Sequence, residues 1–238
     1  MTETPQNQNM NEQPKLSQRL TAAADMVRAG AVVADVGTDH AYVPIALCLS
    51  GRATRAIASD VNEGPLARAR ENIRAWGLED RIETRLCDGL DGLAPYHPTD
   101  ILILGMGGEL IARILSDATF VRDGAIRLIL QPMTHPEVVR AYLAQNGFTV
   151  VGERLIKEEK IYQILCAEYT GAHEDYTPLE RLVGKQNLAR RDALAHELCG
   201  RWRSVFETRL RGKRTVGGDT SEEEQILAEI QSWEDNES

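Results

Sequence analysis

No two of the four cysteines, Cys48, Cys87, Cys166 and Cys199, form a C-x-x-C pair. This absence argues against a disulfide framework and a zinc site, and the thiols read as reduced cysteines of a cytosolic protein. No stretch approaches the 18 apolar residues of a membrane span. Residues 1–14 are polar and rich in Asn and Gln, without a basic start or an apolar segment, so a disordered N-terminus, a cytoplasmic location and no membrane partner are expected. Positive charge is in short supply. There are 27 Lys and Arg against 36 Asp and Glu, a net charge of −9 that ordinarily disfavours a polyanionic partner. Nothing calls for a metal or an obligate protein partner.

The chain also lacks most of a dinucleotide fingerprint. Residues 31–44 read AVVADVGTDHAYVP: an apolar run ends in a carboxylate, Asp35, and turns at Gly37. The run has the length and composition of a buried parallel strand, and Gly37 lets the backbone turn tightly beside a ligand. The second and third glycines of the fingerprint are Asp39 and Ala41 here. An anionic Asp39 repels a pyrophosphate but attracts an ammonium or sulfonium cation by roughly 4 kcal/mol at an effective dielectric near 20. That favours S-adenosylmethionine over NAD.

With 238 residues the chain has room for one α/β domain and a smaller appendage. An amphipathic helix is expected over 15–28, with Leu16, Leu20 and Val27 on one side. Strands are expected over 31–36, 54–60, 81–87, 100–104, 126–131, 148–155 and 161–169. The first five are separated by enough chain for crossover helices, clearest over 65–76, which has proline at its start and Gly77 as terminator. Only five residues separate the last two, too few for a parallel crossover, so they form an antiparallel hairpin. The fold class is therefore α/β, a Rossmann-like doubly wound sheet of seven strands closed by a hairpin, as class I methyltransferases are built.

Carboxylates recur where such a sheet binds its cofactor. Asp60 closes the second strand 23 residues after Gly37, near the spacing at which an acidic side chain accepts both ribose hydroxyl protons. Capping the next helix is its alternative role. Asp88 and Gly89 follow the third strand, where they meet an adenine edge or form a plain turn. Gly105-Met106-Gly107-Gly108 after the fourth strand reads as a flexible loop at the ligand-binding edge, and the Asn/Asp-Pro-Pro-aromatic element of exocyclic-amine methyltransferases is missing. The cofactor set is thus Asp35, Gly37, Asp39, Asp60, Val61, Asp88, Gly89, Gly105, Met106 and Gly107.

Charge is segregated along the chain. Residues 1–180 carry 17 basic against 25 acidic side chains, residues 181–214 carry 10 against 3, and residues 219–238 carry none against 8. The basic window has helical apolar spacing and two open interpretations: a solvated face that pairs with the acidic tail, or a phosphate-binding surface formed by Arg181, Lys185, Arg190, Arg191, Arg201 and Arg203. The organisation expected is residues 1–14 disordered, 15–170 catalytic, and 171–238 helical.

Four segments, KLSQRL at 15–20, DVGTDHAYVP at 35–44, ILGMGG at 103–108 and LILQP at 128–132, give the chain a close resemblance to the bacterial tRNA adenine-N1 methyltransferases that modify position 22. The family carries a helical, coiled-coil-like extension after its catalytic domain, matched here in kind only, and commonly an Asn where this chain has Met133. The resemblance implies a tRNA substrate and in-line attack of adenine N1 on the methyl of S-adenosylmethionine, leaving S-adenosylhomocysteine, with no metal. It places Asp39 beside the reaction, either as an electrostatic partner of the cofactor cation or as acceptor of a proton from the exocyclic amine, and His40 and Tyr42 around the base. Because N1 lies on the pairing edge, the target adenine is unpaired and extruded. A class I methyltransferase acting on another RNA, a small molecule or a protein is the alternative, and a non-enzymatic RNA-binding protein with a degenerate cofactor fold is a second.

Overall fold

The protein is described here as a computed structural model covering residues 14–236; the expectation of disorder over 1–14 falls almost wholly on residues outside those described. Seven strands form one sheet: β1 (Ala31–Val36), β2 (Ala53–Asp60), β3 (Ile82–Leu86), β4 (Asp100–Gly107), β5 (Arg127–Thr134), β6 (Phe148–Lys157) and β7 (Ile161–Tyr169). Their order is β3-β2-β1-β4-β5-β7-β6. All pairs among the first five are parallel, and β7 runs antiparallel to both β5 and β6. The short connection forces the hairpin: Glu158 N–H donates to the Lys160 carbonyl at 3.0 Å and turns the chain at once.

The crossover helices are α2 (Tyr42–Leu49), α3 (Glu63–Ala75), α4 (Gly108–Asp117) and α5 (Pro136–Gln145), with α1 (Gln18–Ala24) preceding β1. Two apolar clusters cover the two faces of the sheet. One is built on Val33, Ile45 and Leu102, the other on Ile57, Ile101, Ile103 and Leu128.

Two local expectations need correction. The N-terminal helix is shorter than 15–28, because Arg28 is drawn out of it: its backbone N–H and Nε both donate to the Asp100 carboxylate at 2.9 Å. The glycine-rich segment after β4 is not a loop. Met106 and Gly107 extend the strand and pair with Pro132 and Thr134 of a lengthened β5, and α4 starts at Gly108. A side chain at Gly108 would lie 2.1 Å from the His135 carbonyl oxygen, so the glycines allow close backbone packing rather than flexibility.

The basic window forms three helices, α6 (Pro178–Val183), α7 (Lys185–Arg190) and α8 (Ala193–Thr215), interrupted at Gly184 (φ 99°) and Arg191 (φ 51°). The acidic tail supplies α9 (Ser221–Asp235). Arg203 pairs with Glu234, and Lys213 with Glu223 at 2.8 Å. Partners nested in this way place α8 and α9 antiparallel. Leu155 and Ile161 of the hairpin share an apolar cluster with Leu182, Leu198, Phe206 and Ile226 of these helices. A buried polar network fixes the junction. Arg140 of α5 donates from Nε to Glu153 at 2.8 Å, from one terminal nitrogen to the Arg181 carbonyl at 2.9 Å, and from the other to Gln163 at 2.7 Å and the Val183 carbonyl at 3.2 Å.

Candidate active site

The chain reverses its direction of travel across the sheet between β1 and β4. At such a switch point the connections leave in opposite directions and open a crevice at the carboxyl ends of the strands. A cavity of about 240 Å³ lies there, with Arg19, Asp35, Gly37, Asp39, His40, Tyr42 and Gly105 among its walls.

Each wall has a local cause. Gly37 adopts φ 76°, the left-handed region, and its N–H and that of Thr38 donate to the Ser59 carbonyl, both at 2.8 Å. A Cβ at Gly37 would lie 2.2 Å from the Met106 methyl carbon, so the turn and the β4 strand end meet over this glycine. Asp35, at the end of buried β1, is only 7% exposed. Burial pushes its carboxyl up to about 6, with the Thr38 hydroxyl acting in the opposite sense. A buried carboxyl aimed at a cavity is a group whose ionised form awaits a cationic partner.

Asp39, by contrast, is exposed and already engaged. Its oxygens meet Arg68 of α3 at 2.8 Å and His40 Nε2 at 3.2 Å. Ala41 takes a left-handed conformation, φ 56°, at the start of α2, while Asn72 donates to the His40 carbonyl at 3.0 Å. The strained turn holds the His40 and Tyr42 rings stacked, 5.2 Å between centroids and 13° between planes. The outer ring, Tyr42, is 42% exposed. The two form an aromatic ledge at the mouth of the cleft.

The rest of the expected cofactor set lies along the same edge but not all in one cavity. Gly105 lines the cleft, Met106 touches Gly37, and Gly107 sits over Thr134. Asp60 ends β2 and accepts the Asn62 N–H at 2.7 Å, with Val61 exposed beside it. Asp88 and Gly89 line a second cavity of about 440 Å³, where Arg113 lies 3.7 Å from the Asp88 carboxylate.

Arg19 carried no assigned role in the sequence. It lines the cleft, donates from its guanidinium to Gln131 at 2.8 Å and from its backbone N–H to Glu158 at 2.9 Å, and lies 5.5 Å from the Tyr162 ring centre. Its position in the KLSQRL segment was its only signal. Arg68 and Thr38 were likewise missed, since side chains that orient others carry no spacing signature.

The six basic residues do not form one patch. Lys185 meets Glu174 at 3.5 Å and stacks on Tyr176, Arg190 pairs with Asn187 and with Asp192 at 3.6 Å, Arg191 lies over Trp233, and Arg203 pairs with Glu234. Arg181 donates to the Tyr176 carbonyl at 3.2 Å. Arg201 is exposed and borders a groove facing the sheet. Arg203, Lys213 and Arg214 therefore follow the bland interpretation of the window, pairing with the acidic tail.

A parallel sheet closed by an antiparallel hairpin, with an acidic, glycine-turned cleft at its switch point, defines a class I methyltransferase, and the methyltransferase-domain family model matches residues 16–165. The tRNA (adenine(22)-N(1))-methyltransferase of Bacillus subtilis is 39% identical over 160 residues, 67% of each chain. The crystal structure of the B. subtilis m1A22 tRNA methyltransferase superposes with a TM-score of 0.79 at 31% identity, over 92% of this chain and 95% of that one. A Streptococcus pneumoniae protein in complex with S-adenosyl-L-methionine gives a TM-score of 0.78 at 32% identity, over 90% and 100% of the two chains. The chain belongs to the tRNA (adenine(22)-N(1))-methyltransferase family.

Proposed function

We propose that the protein methylates N1 of the adenine at position 22 of tRNA, using S-adenosylmethionine bound at the carboxyl edge of β1 and β4. The observation that carries this is the pairing, in one cleft, of the buried Asp35 carboxyl with the stacked His40–Tyr42 ledge at its mouth. The cleft fits such a cofactor: Gly37 turns the chain at φ 76° beside the opening, and Asp35 offers a buried carboxylate to a cation.

When bound, S-adenosylmethionine supplies a methyl group activated on a sulfonium. The residues of this chain then do the positioning. Asp35 holds the cationic amino-acid end, Asp60 takes the ribose hydroxyls, and the Asp88–Gly89 turn meets the adenine edge. Tyr42 and His40 hold the extruded target base, and stacking offsets part of the cost of unpairing it. Adenine N1 already has a lone pair at neutral pH, so alignment with the methyl is the main requirement, together with stabilising positive charge as it moves onto the base. Since Arg68 and His40 already share Asp39, its part is to orient the imidazole that supports the ledge.

A tRNA substrate puts the enzyme in the cytoplasm. Among the described residues no helix is long and apolar enough to cross a membrane, and no cluster of three His, Cys, Asp or Glu is placed to hold a metal. Incubating unmodified tRNA with protein and cofactor, then mapping nucleosides by mass, tests the proposal. It expects 1-methyladenosine at position 22, and a different methylated nucleoside would reject it.

A further inference from the structure

A groove runs between the carboxyl edge of the sheet and α8. It has two lobes, cavities of about 240 and 410 Å³ that share Thr134, His135 and Trp202 as walls. Lys160 and Arg201 stand in the first lobe, Arg181 and Arg209 in the second. Two carboxylates border the second lobe: Glu137, which His135 engages at 2.9 Å, and Glu222. Lys160 also donates to the Met133 carbonyl at 3.0 Å and Arg181 to the Tyr176 carbonyl at 3.2 Å, neutral partners that leave both charges in place, so four cations against two carboxylates make the groove positive inside an acidic protein.

Trp202 divides the lobes. Its ring leans on Phe206 at 5.8 Å, and its indole N–H is buried with no hydrogen-bond partner. An aromatic face flanked by guanidinium and ammonium groups is the chemistry that receives a base and its phosphate. The groove also adjoins the cofactor cleft. Pro132, Met133 and Thr134 line it from the end of β5, and Pro132 and Thr134 pair with Met106 and Gly107 of β4, one strand spacing of about 4.8 Å away. Tyr162 lines the groove, with Arg19 of the cleft 5.5 Å from its ring centre and Lys160 of the groove at 5.1 Å.

Resting on the methyl-transfer reading above, we infer that this groove seats an unpaired nucleotide of the tRNA flanking the methylated adenine, its base against Trp202 and its phosphate on Arg201 and Lys160. The paired side of α8 binds its own tail, and the side turned to the sheet binds RNA. The groove thereby sets which tRNA conformations present their adenine to the cleft.

The full-length chain with Trp76→Phe and Trp233→Phe leaves Trp202 as its only tryptophan. Titration with unmodified tRNA should quench its fluorescence and saturate with the substrate. In methylation kinetics Trp202→Ala should raise KM for tRNA at least about fivefold while cofactor affinity stays unchanged, and Trp202→Phe should recover most of that loss. Arg201→Glu, on an exposed position that leaves the fold intact, should raise the same KM and flatten the log–log salt dependence of tRNA binding by about 0.7 or more. Wild-type KM values in Trp202→Ala and Arg201→Glu, or a Trp202 signal blind to tRNA, would overturn the groove assignment while leaving the methyl-transfer reading standing. A wild-type protein that binds cofactor but never methylates tRNA would overturn both.

Discussion

Where the C-terminal helices meet the sheet, Arg140 and Glu153 are 0% and 3% exposed, and all three guanidinium nitrogens and both carboxylate oxygens have partners. In and around the cofactor cleft, Asp39, Asp60 and Asp88 reach solvent, and the one buried carboxyl, Asp35, has a single hydroxyl for company. The junction satisfies its charges internally because a buried ion left unpaired costs several kcal/mol. The cleft leaves Asp35 without a cationic partner and its other carboxylates open to solvent, where a ligand can meet them. The same contrast divides α8 lengthwise: Arg203, Lys213 and Arg214 are paired with α9, while Arg201 faces the groove.

The junction should show the largest response to mutation. Glu153→Ala strands the Arg140 guanidinium and is expected to lower stability by about 3–5 kcal/mol in urea denaturation. A loss below about 1 kcal/mol would mean that the network does not secure the helices. Gly184→Ala attacks the same site, since a Cβ there would lie 2.2 Å from a Glu153 oxygen at φ 99°. Truncation after Thr170 should destabilise the sheet in the same way. It removes the acceptors that Arg140 uses and uncovers Leu155 and Ile161.

Asp35 should behave in the opposite way to the junction charges. Its folded-state value of about 6 lies above the ordinary 3.8, so the stability it contributes is fully present below about pH 4 and is lost as the pH rises through 6. Asp35→Asn should therefore raise stability at pH 8 by up to about 3 kcal/mol relative to wild type and flatten that pH dependence in thermal melts. The same variant should weaken cofactor binding by about 1.5–3 kcal/mol in titration calorimetry. Wild-type affinity across pH 5–8 would remove Asp35 from the cofactor site.

The aromatic ledge separates binding from transfer. Tyr42→Ala is expected to slow single-turnover methylation at saturating cofactor about tenfold, roughly 1.4 kcal/mol, with cofactor affinity near wild type. An undiminished rate would make Tyr42 a surface residue only. The smallest effect belongs to the paired side of α8. Arg203→Gln should change stability by less than about 1 kcal/mol and leave tRNA affinity unaltered, because its guanidinium is already occupied by Glu234. A large loss of tRNA binding there would erase the distinction between the two sides of the helix.

Strand β1 was legible because its apolar run matches a strand buried on both faces, and the hairpin was legible from the length of one connection. Chain statistics failed where long-range packing decides. The glycines at 105–108 carry a loop signature, yet pairing with β5 makes Met106 and Gly107 a strand end, and Gly108 starts a helix. Asp39 drew attention because it stands where a glycine was expected. The more deeply buried carboxyl, Asp35, owes its character to β2 and β4 on either side, which no local pattern announces. The basic window could be counted but not apportioned, since the side of α8 that each arginine occupies depends on where α9 folds back. Arg140 gave no signal, as one arginine in an amphipathic helix reads as solvent-exposed.

The most direct test uses two tRNA transcripts identical except for adenosine or uridine at position 22, each incubated with the protein and methyl-labelled S-adenosylmethionine. Label is expected to enter the adenosine transcript to about one equivalent and the uridine transcript not at all. Equal labelling of both would contradict the assignment of this cleft to adenine 22.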